Sequence, residues 1–194
     1  PNTGEVFHKR IIEQNRFEWK KNIPKSVRKV IFVRDVTKQW YLQGINSRIN
    51  TIEKLCELLK GEIGGLNTVC VGSSAGGYAA TLMGCLLGVS HVLSFSGYFS
   101  LLHLLSDEVS RAKHPVVVKY ENTPEVSRYY SLLEVISNSQ VPVFYFYPSG
   151  SPVDVEQANV VRCAPTVFEF AFATATHAST CYPINFVDLF GLDP

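Results

Sequence analysis

The chain has 194 residues, a net charge of +1, 46% apolar residues and only 18% charged ones. Disordered chains are richer in charge and poorer in aromatics, so the composition excludes one. The near-neutral charge gives no reason to expect nucleic acid as a partner.

The charge that is present is unevenly placed. Residues 1–29 carry eight Lys/Arg against three Glu, and the remainder is net acidic. The basic segment reads first as a solvated edge. From Ile63 to Ser106, 44 residues contain no Asp, Glu, Lys or Arg. Such a stretch is either a membrane segment or the buried centre of a fold. Five cysteines, at 56, 70, 85, 163 and 181, have irregular spacing and form no C-x-x-C. They read as reduced, mostly buried thiols of a cytoplasmic protein. The N-terminal residues show no signal-peptide core.

In chain order, Val30–Val33 is a short apolar run, as a first buried strand would be. Arg34 to Asn46 reads as a loop. Ser47 to Lys60 is an amphipathic helix with Ile49, Ile52, Cys56 and Leu59 on one side, Ser47 as N-cap and Gly61 as stop. Leu66–Val71 is a second strand and Gly72–Gly77 a turn. Tyr78–Leu87 is an apolar helix closed by Gly88, and His91–Phe95 a third strand. Residues 98–141 are more polar and read as irregular helices over one end of the sheet, a lid or insertion. Val141–Tyr147 is a fourth strand, Val155–Arg162 a short helix and Thr166–Ala173 a fifth strand. Ile184–Phe190 has room for a last helical turn or two. Alternating strands and helices predict one α/β domain over 1–194, a mostly parallel central sheet covered on both faces. A membrane span is disfavoured, because Gly72–Gly77, Gly84, Gly88 and Ser94 interrupt the uncharged stretch.

Gly72-Ser73-Ser74-Ala75-Gly76 fits G-x-S-x-G. The pattern alone is weak, and a turn that merely needs glycines produces it too. Here it sits directly after an apolar strand and before a helix, the context of a nucleophile elbow. Close packing of strand and helix demands glycine at the flanks, which leaves Ser74 strained with its hydroxyl at the sheet's carboxyl edge. Ser73 is the less favoured nucleophile. The Ala75 N–H, at the helix start, faces the reaction centre as one oxyanion donor.

A serine nucleophile needs a base and an orienting acid, in the order Ser, Asp or Glu, His. His8 precedes the elbow, His91 begins a strand at the wrong end, and His103 and His114 lie in the long segment. His177, just past the fifth strand, is the candidate base. Asp154, the first acidic residue after the fourth strand, is the candidate acid, with Glu156 behind it; Asp154 and Gln157 also fit a helix capping box. The second oxyanion donor falls to the loop after the first strand, at Asp35 or a neighbour, with Arg34 assisting. Trp40 and Tyr41 form either a substrate wall or an aromatic packing pair. Tyr98 and Phe99 open the segment expected to shape the acyl pocket.

These residues carry a resemblance. The strand ending Thr68-Val-Cys-Val71, the elbow, Asp154 and His177 resemble the α/β-hydrolase superfamily over roughly residues 30–190. More loosely, Phe32-Val-Arg-Asp35 with Trp40-Tyr41 and the elbow is similar to small hydrolase-like proteins of bacterial polysaccharide gene clusters. The resemblance implies a Ser-Asp-His serine hydrolase that cleaves an ester of an acylated saccharide or another small acyl substrate through an acyl-enzyme. An acyltransferase with the same residues, and an inactive hydrolase-fold binding module, are the alternatives. The chain departs from the superfamily in lacking His-Gly after the first strand and in its shortness. No cofactor or metal is implied, since neither a ligand cluster nor a phosphate-binding glycine loop is present. The oligomeric state is open.

Overall fold

The computed structural model describes residue 20, residues 23–36 and residues 38–177. The expected turns at 184–190, most of the basic N-terminal segment and His8 lie outside these residues. Among the described residues, four strands form one fully parallel sheet in sequence order: β1 (Val69–Ser73), β2 (His91–Phe95), β3 (Val143–Pro148) and β4 (Val167–Phe172). The register levels Ser73 with Phe95, Phe95 with Phe146 and Phe146 with Phe170, so all four carboxyl ends meet along one edge. Parallel neighbours need long crossovers, and helices supply them.

The uncharged stretch is the β1–helix–β2 unit. Helix α1 (Ile52–Ile63) precedes it, and helix α2 (Ala75–Leu87) lies inside it. Residues Gly77 to Cys85 are buried without a break, so nearly the whole circumference of α2 is covered. Continuous burial explains the missing charges, because an unpaired ion there would lose its hydration. Among the described residues, no helix is long and apolar enough to cross a membrane.

Two apolar clusters flank the sheet. On one side Val92, Val143, Tyr145 and Tyr147 pack with Tyr78, Leu82 and Leu55 of the helices. On the other, Leu93, Phe95, Phe144 and Phe146 form a smaller cluster with Val69, Val71 and Phe172 against it. Phe95 stacks on Phe146 at 4.8 Å, and Phe146 on Phe170 at 4.9 Å. The strands therefore present apolar residues to both faces, as buried parallel strands do.

The segment between β2 and β3 is rooted at one point. Ser100 and Ser131 form an antiparallel bridge, and the Leu101 N–H donates to Tyr130 O at 2.7 Å. Between these roots lie a 3-10 turn (Leu102–Leu105) and short helices α3 (Glu108–Lys113), α4 (Pro115–Lys119) and α5 (Pro124–Ser127). Helix α6 (Leu133–Ser137) follows, and α7 (Pro152–Val161) joins β3 to β4. The Tyr78 hydroxyl donates to Tyr129 O at 2.8 Å and ties α2 to this excursion.

Three expectations are corrected. The run Val30–Val33 is not a strand: it pairs with no described strand, and Val30, Ile31 and Phe32 are exposed. An apolar run signals a preference for burial, whereas strand pairing depends on register with a neighbour that local pattern does not encode. Helix α1 begins at Ile52, not Ser47. The Asn46 carboxamide oxygen accepts from the N–H groups of Arg48 (2.9 Å) and Ile49 (2.8 Å), which holds 46–49 in a turn. Thr51 is the N-cap, accepting from Lys54 N–H at 3.2 Å, and Gly64, left-handed at φ 54, is the stop. Asp154 and Gln157 form no capping box: Ser151 is the N-cap residue of α7, and Asp154 lies inside its first turn.

Candidate active site

The turn from β1 into α2 is shaped by its glycines. A side chain on Gly72 would occupy the space of the Gly76 carbonyl, and one on Gly77 would come within 2.6 Å of Gly97 Cα. The expected crowding therefore falls on Gly72 and Gly77; at Gly76 a side chain would meet open space. Ser74 between them has φ 53 and ψ −121, a conformation L-residues adopt only when the surroundings enforce it. Its N–H donates to Phe95 O at 2.9 Å, which fixes the turn to the end of β2. Tyr78 N–H makes the first intrahelical bond, to Ser74 O at 3.1 Å, so the amides of Ala75, Gly76 and Gly77 lie in the first turn of α2.

The turns after β3 and β4 are stitched together. Ser149 N–H donates to Phe172 O at 2.8 Å and Gly150 N–H to Thr174 O at 2.9 Å. These bonds bring the start of α7, with Asp154, beside His177. Asp154 is 1% exposed. His177 Nδ1 lies 2.9 Å from Asp154 Oδ2 and 3.1 Å from Oδ1. His177 Nε2 lies 3.1 Å from Ser74 Oγ. A carboxylate only accepts, so Nδ1 carries the proton and Nε2 is free to accept from the serine hydroxyl. The sheet edge thus gathers a hydroxyl, an imidazole and a buried carboxylate in one hydrogen-bonded row, with the imidazole 37% exposed. Ser74, Asp154 and His177 are brought together from 103 residues of chain.

The loop before α1 forms one flank. The Asp35 carboxylate accepts from Gln39 N–H at 2.6 Å and Tyr41 N–H at 3.1 Å. Its side chain thereby shapes its own loop; Arg34 is half-buried beside it. Lys38, Trp40 and Tyr41 all have left-handed backbones, at φ 54, 58 and 58. Trp40 and Tyr41 are buried, and the Tyr41 hydroxyl donates to Val33 O at 3.4 Å, so Tyr41 packs.

Tyr98 stands beside the row. Its ring lies edge-on to Trp40 at 5.0 Å and to His177 at 6.0 Å, and stacks on His103 at 5.2 Å. Burial, then the charges of Asp154 and Glu156, push its hydroxyl pKa up, so it stays protonated. Phe99 does not reach the site: it is fully buried, edge-on to Tyr145 at 4.7 Å. It follows Tyr98 on a chain whose next amides are clamped inward, which turns its ring into the core.

Sequence reasoning missed the clamp. The Gln157 carboxamide, 1% exposed, accepts from Phe99 N–H (2.7 Å) and Ser100 N–H (2.8 Å) and donates to Ser100 O (3.2 Å). Three residues beyond Asp154 on α7, it anchors the root of the excursion to the helix that carries the carboxylate. His103, set aside as a candidate base, stacks on Tyr98. Its Nδ1 donates to Ser100 O at 3.1 Å, and burial lowers its pKa. No periodicity marks either residue; only the tertiary path does.

No protein-family model and no curated protein matches the sequence. Solved structures do. An α/β-hydrolase from a lagoon-sediment metagenome of Mar Chica, Morocco, superposes at TM-score 0.50 and 17% identity, over 78% of this chain and 72% of that one. A lipase-esterase related protein from Clostridium acetobutylicum gives TM-score 0.51 and 17% identity, over 73% and 74%. The capsule O-acetyltransferase of Neisseria meningitidis serogroup A gives 0.52 and 12%, over 79% and 69%. With the parallel sheet and its helices, these likenesses establish that the chain has an α/β-hydrolase fold. Neighbours of this fold include both hydrolases and an acetyltransferase.

Proposed function

We propose that the protein is a serine hydrolase that cleaves a small acyl ester, possessing the acid–base row needed for an acyl-enzyme. The observation that carries the reading is the row itself: Ser74 Oγ 3.1 Å from His177 Nε2, and His177 Nδ1 2.9 Å from a carboxylate withdrawn from solvent. His177 takes the Ser74 proton as Oγ attacks the ester carbonyl carbon. The carbonyl oxygen becomes an oxyanion, received by the Ala75 N–H and the first-turn end of α2, with the Arg34-Asp35 backbone as second donor. Collapse breaks the C–O bond, and the leaving alkoxide takes the proton from His177. Water then attacks the acyl-enzyme, gives its proton to His177, and the acid leaves as Ser74 is reprotonated. Asp154 holds the imidazole in the required tautomer throughout. Trp40 and Tyr98 wall the site, and the excursion between 98 and 141 covers the acyl group.

Hydrolysis of p-nitrophenyl acetate tests the reading. Ser74→Ala should lower kcat by about 10⁶-fold, as loss of a nucleophile does elsewhere, while Ser73→Ala keeps activity. Equal rates in wild type and Ser74→Ala would overturn it. An acyltransferase uses the same row with a hydroxyl acceptor in place of water, and a capsule O-acetyltransferase shares the fold. Ester formation with added saccharide, measured against free acid, separates the two.

A further inference from the structure

A cavity of about 240 Å³ is lined by Lys38, Trp40, Lys113, His114 and the start of α4. Three of its lining residues, Lys38, Lys113 and His114, are basic and none is acidic. Ion pairs join Lys29 to Glu62, Arg111 to Glu121 and Arg128 to Glu53; Lys38 and Lys113 are in none of these pairs. Asp35, the acid of the same loop, directs its carboxylate to the Gln39 and Tyr41 amides. The remaining walls are the Trp40 indole, Pro115, Val116 and Val117, which are apolar. A concave site with apolar walls and one sign of charge concentrates the field on a ligand of the opposite sign.

The cavity is also pre-shaped and connected. Lys38 and Trp40 have left-handed backbones in the loop whose Gln39 and Tyr41 amides the Asp35 carboxylate holds. Trp40 Nε1–H donates to His114 Nδ1 at 3.4 Å. This leaves Nε2 as the protonated, donating nitrogen of His114. The same Trp40 ring meets Tyr98, and Tyr98 meets His177. One indole is thus shared between the cavity wall and the aromatic row that ends on the proposed base.

We propose that this cavity is the subsite for an anionic group, a phosphate or a carboxylate, carried by the ester on which Ser74 acts. The assignment to substrate rests on the hydrolase reading; the anion site itself does not. Lys38 and Lys113 supply the charge, and His114 donates a hydrogen bond to the anion.

Calorimetric titration of the full chain with glucose, glucose 1-phosphate, glucuronate and inorganic phosphate tests this. Glucose should give no heat, and at least one of the anions should bind. Binding by the phosphates alone assigns a phosphate, and by glucuronate alone a carboxylate. In the Lys38→Ala/Lys113→Ala double variant, the anion's Kd should rise by about tenfold or more. Both lysines are exposed, and an unchanged melting temperature would show that the fold is intact. Ser74→Ala should bind the anion as wild type does. Anions indistinguishable from glucose, or an unchanged Kd in the double variant, would overturn the inference. A failure of the hydrolase reading shows elsewhere, as ester turnover that ignores Ser74, so the two fail separately.

Discussion

Two strained segments flank the proposed reaction centre, and they are held in opposite ways. The β1–α2 turn holds Ser74 at φ 53 by backbone crowding: Gly72 meets the Gly76 carbonyl, and Gly77 meets Gly97. The loop from 34 to 41 holds Lys38, Trp40 and Tyr41 left-handed through one carboxylate and aromatic packing. Strain held by crowding requires particular residue types and leaves a signature in the sequence. Strain held by a side-chain hydrogen bond leaves none, because Asp-x-x-x-Gln is no motif.

The largest effect should come from breaking what both segments serve. Asp154→Asn removes the charge that orients His177, and kcat toward p-nitrophenyl acetate should fall by about 10⁴-fold, as in other enzymes with this arrangement. The melting temperature should move far less than the rate, since Asn is nearly isosteric. A fall under tenfold would make Asp154 structural. Next comes the crowded side of the comparison. Gly72→Ala forces the turn and α2 apart; a loss of about 3 kcal/mol or more in urea unfolding is expected, at the upper end for overpacking. Full stability in this variant would remove the crowding argument.

The hydrogen-bonded side should break more gently. Asp35→Ala strands the amides of Gln39 and Tyr41 and should cost about 1–3 kcal/mol. Weaker ester turnover should accompany it as Trp40 shifts, while Ser74 itself still labels. The smallest effect belongs to the histidine under Trp40. Burial, then the charges of His103 and Lys113, lowers the His114 pKa below the ordinary 6.5. A histidine kept neutral by folding binds more protons when unfolded. Its contribution to stability is therefore complete above the ordinary value and is lost as pH falls from there through the depressed one. Proton NMR of the imidazole should show His114 titrating below 6.5 in the folded chain, and Trp40→Phe should move it, since the indole is part of its cover.

The same contrast explains what was legible in the sequence. β2 and the buried body of α2 were readable because a continuous apolar run and a glycine stop determine them locally. The elbow was readable from its glycines. That His177 and Asp154 stand beside Ser74 was reachable from strand order, since both follow later strands whose carboxyl ends share one edge. The Val30–Val33 run misled, because composition reports burial preference and not pairing. Phe99 was misassigned because its direction depends on Gln157, a clamp 58 residues away. Lys113 and His114 meet Lys38 only through the path of the excursion. What was legible is set by neighbours in sequence; what was not is set by neighbours in space.

The central claim is that Ser74 is a nucleophile activated by His177. Its most direct test is labelling of the folded chain with a fluorophosphonate, with the adduct located by peptide mass spectrometry. The account predicts one adduct, on Ser74, lost in Ser74→Ala and strongly slowed in His177→Ala. An adduct on Ser73, or none on a protein that melts cooperatively, would contradict it.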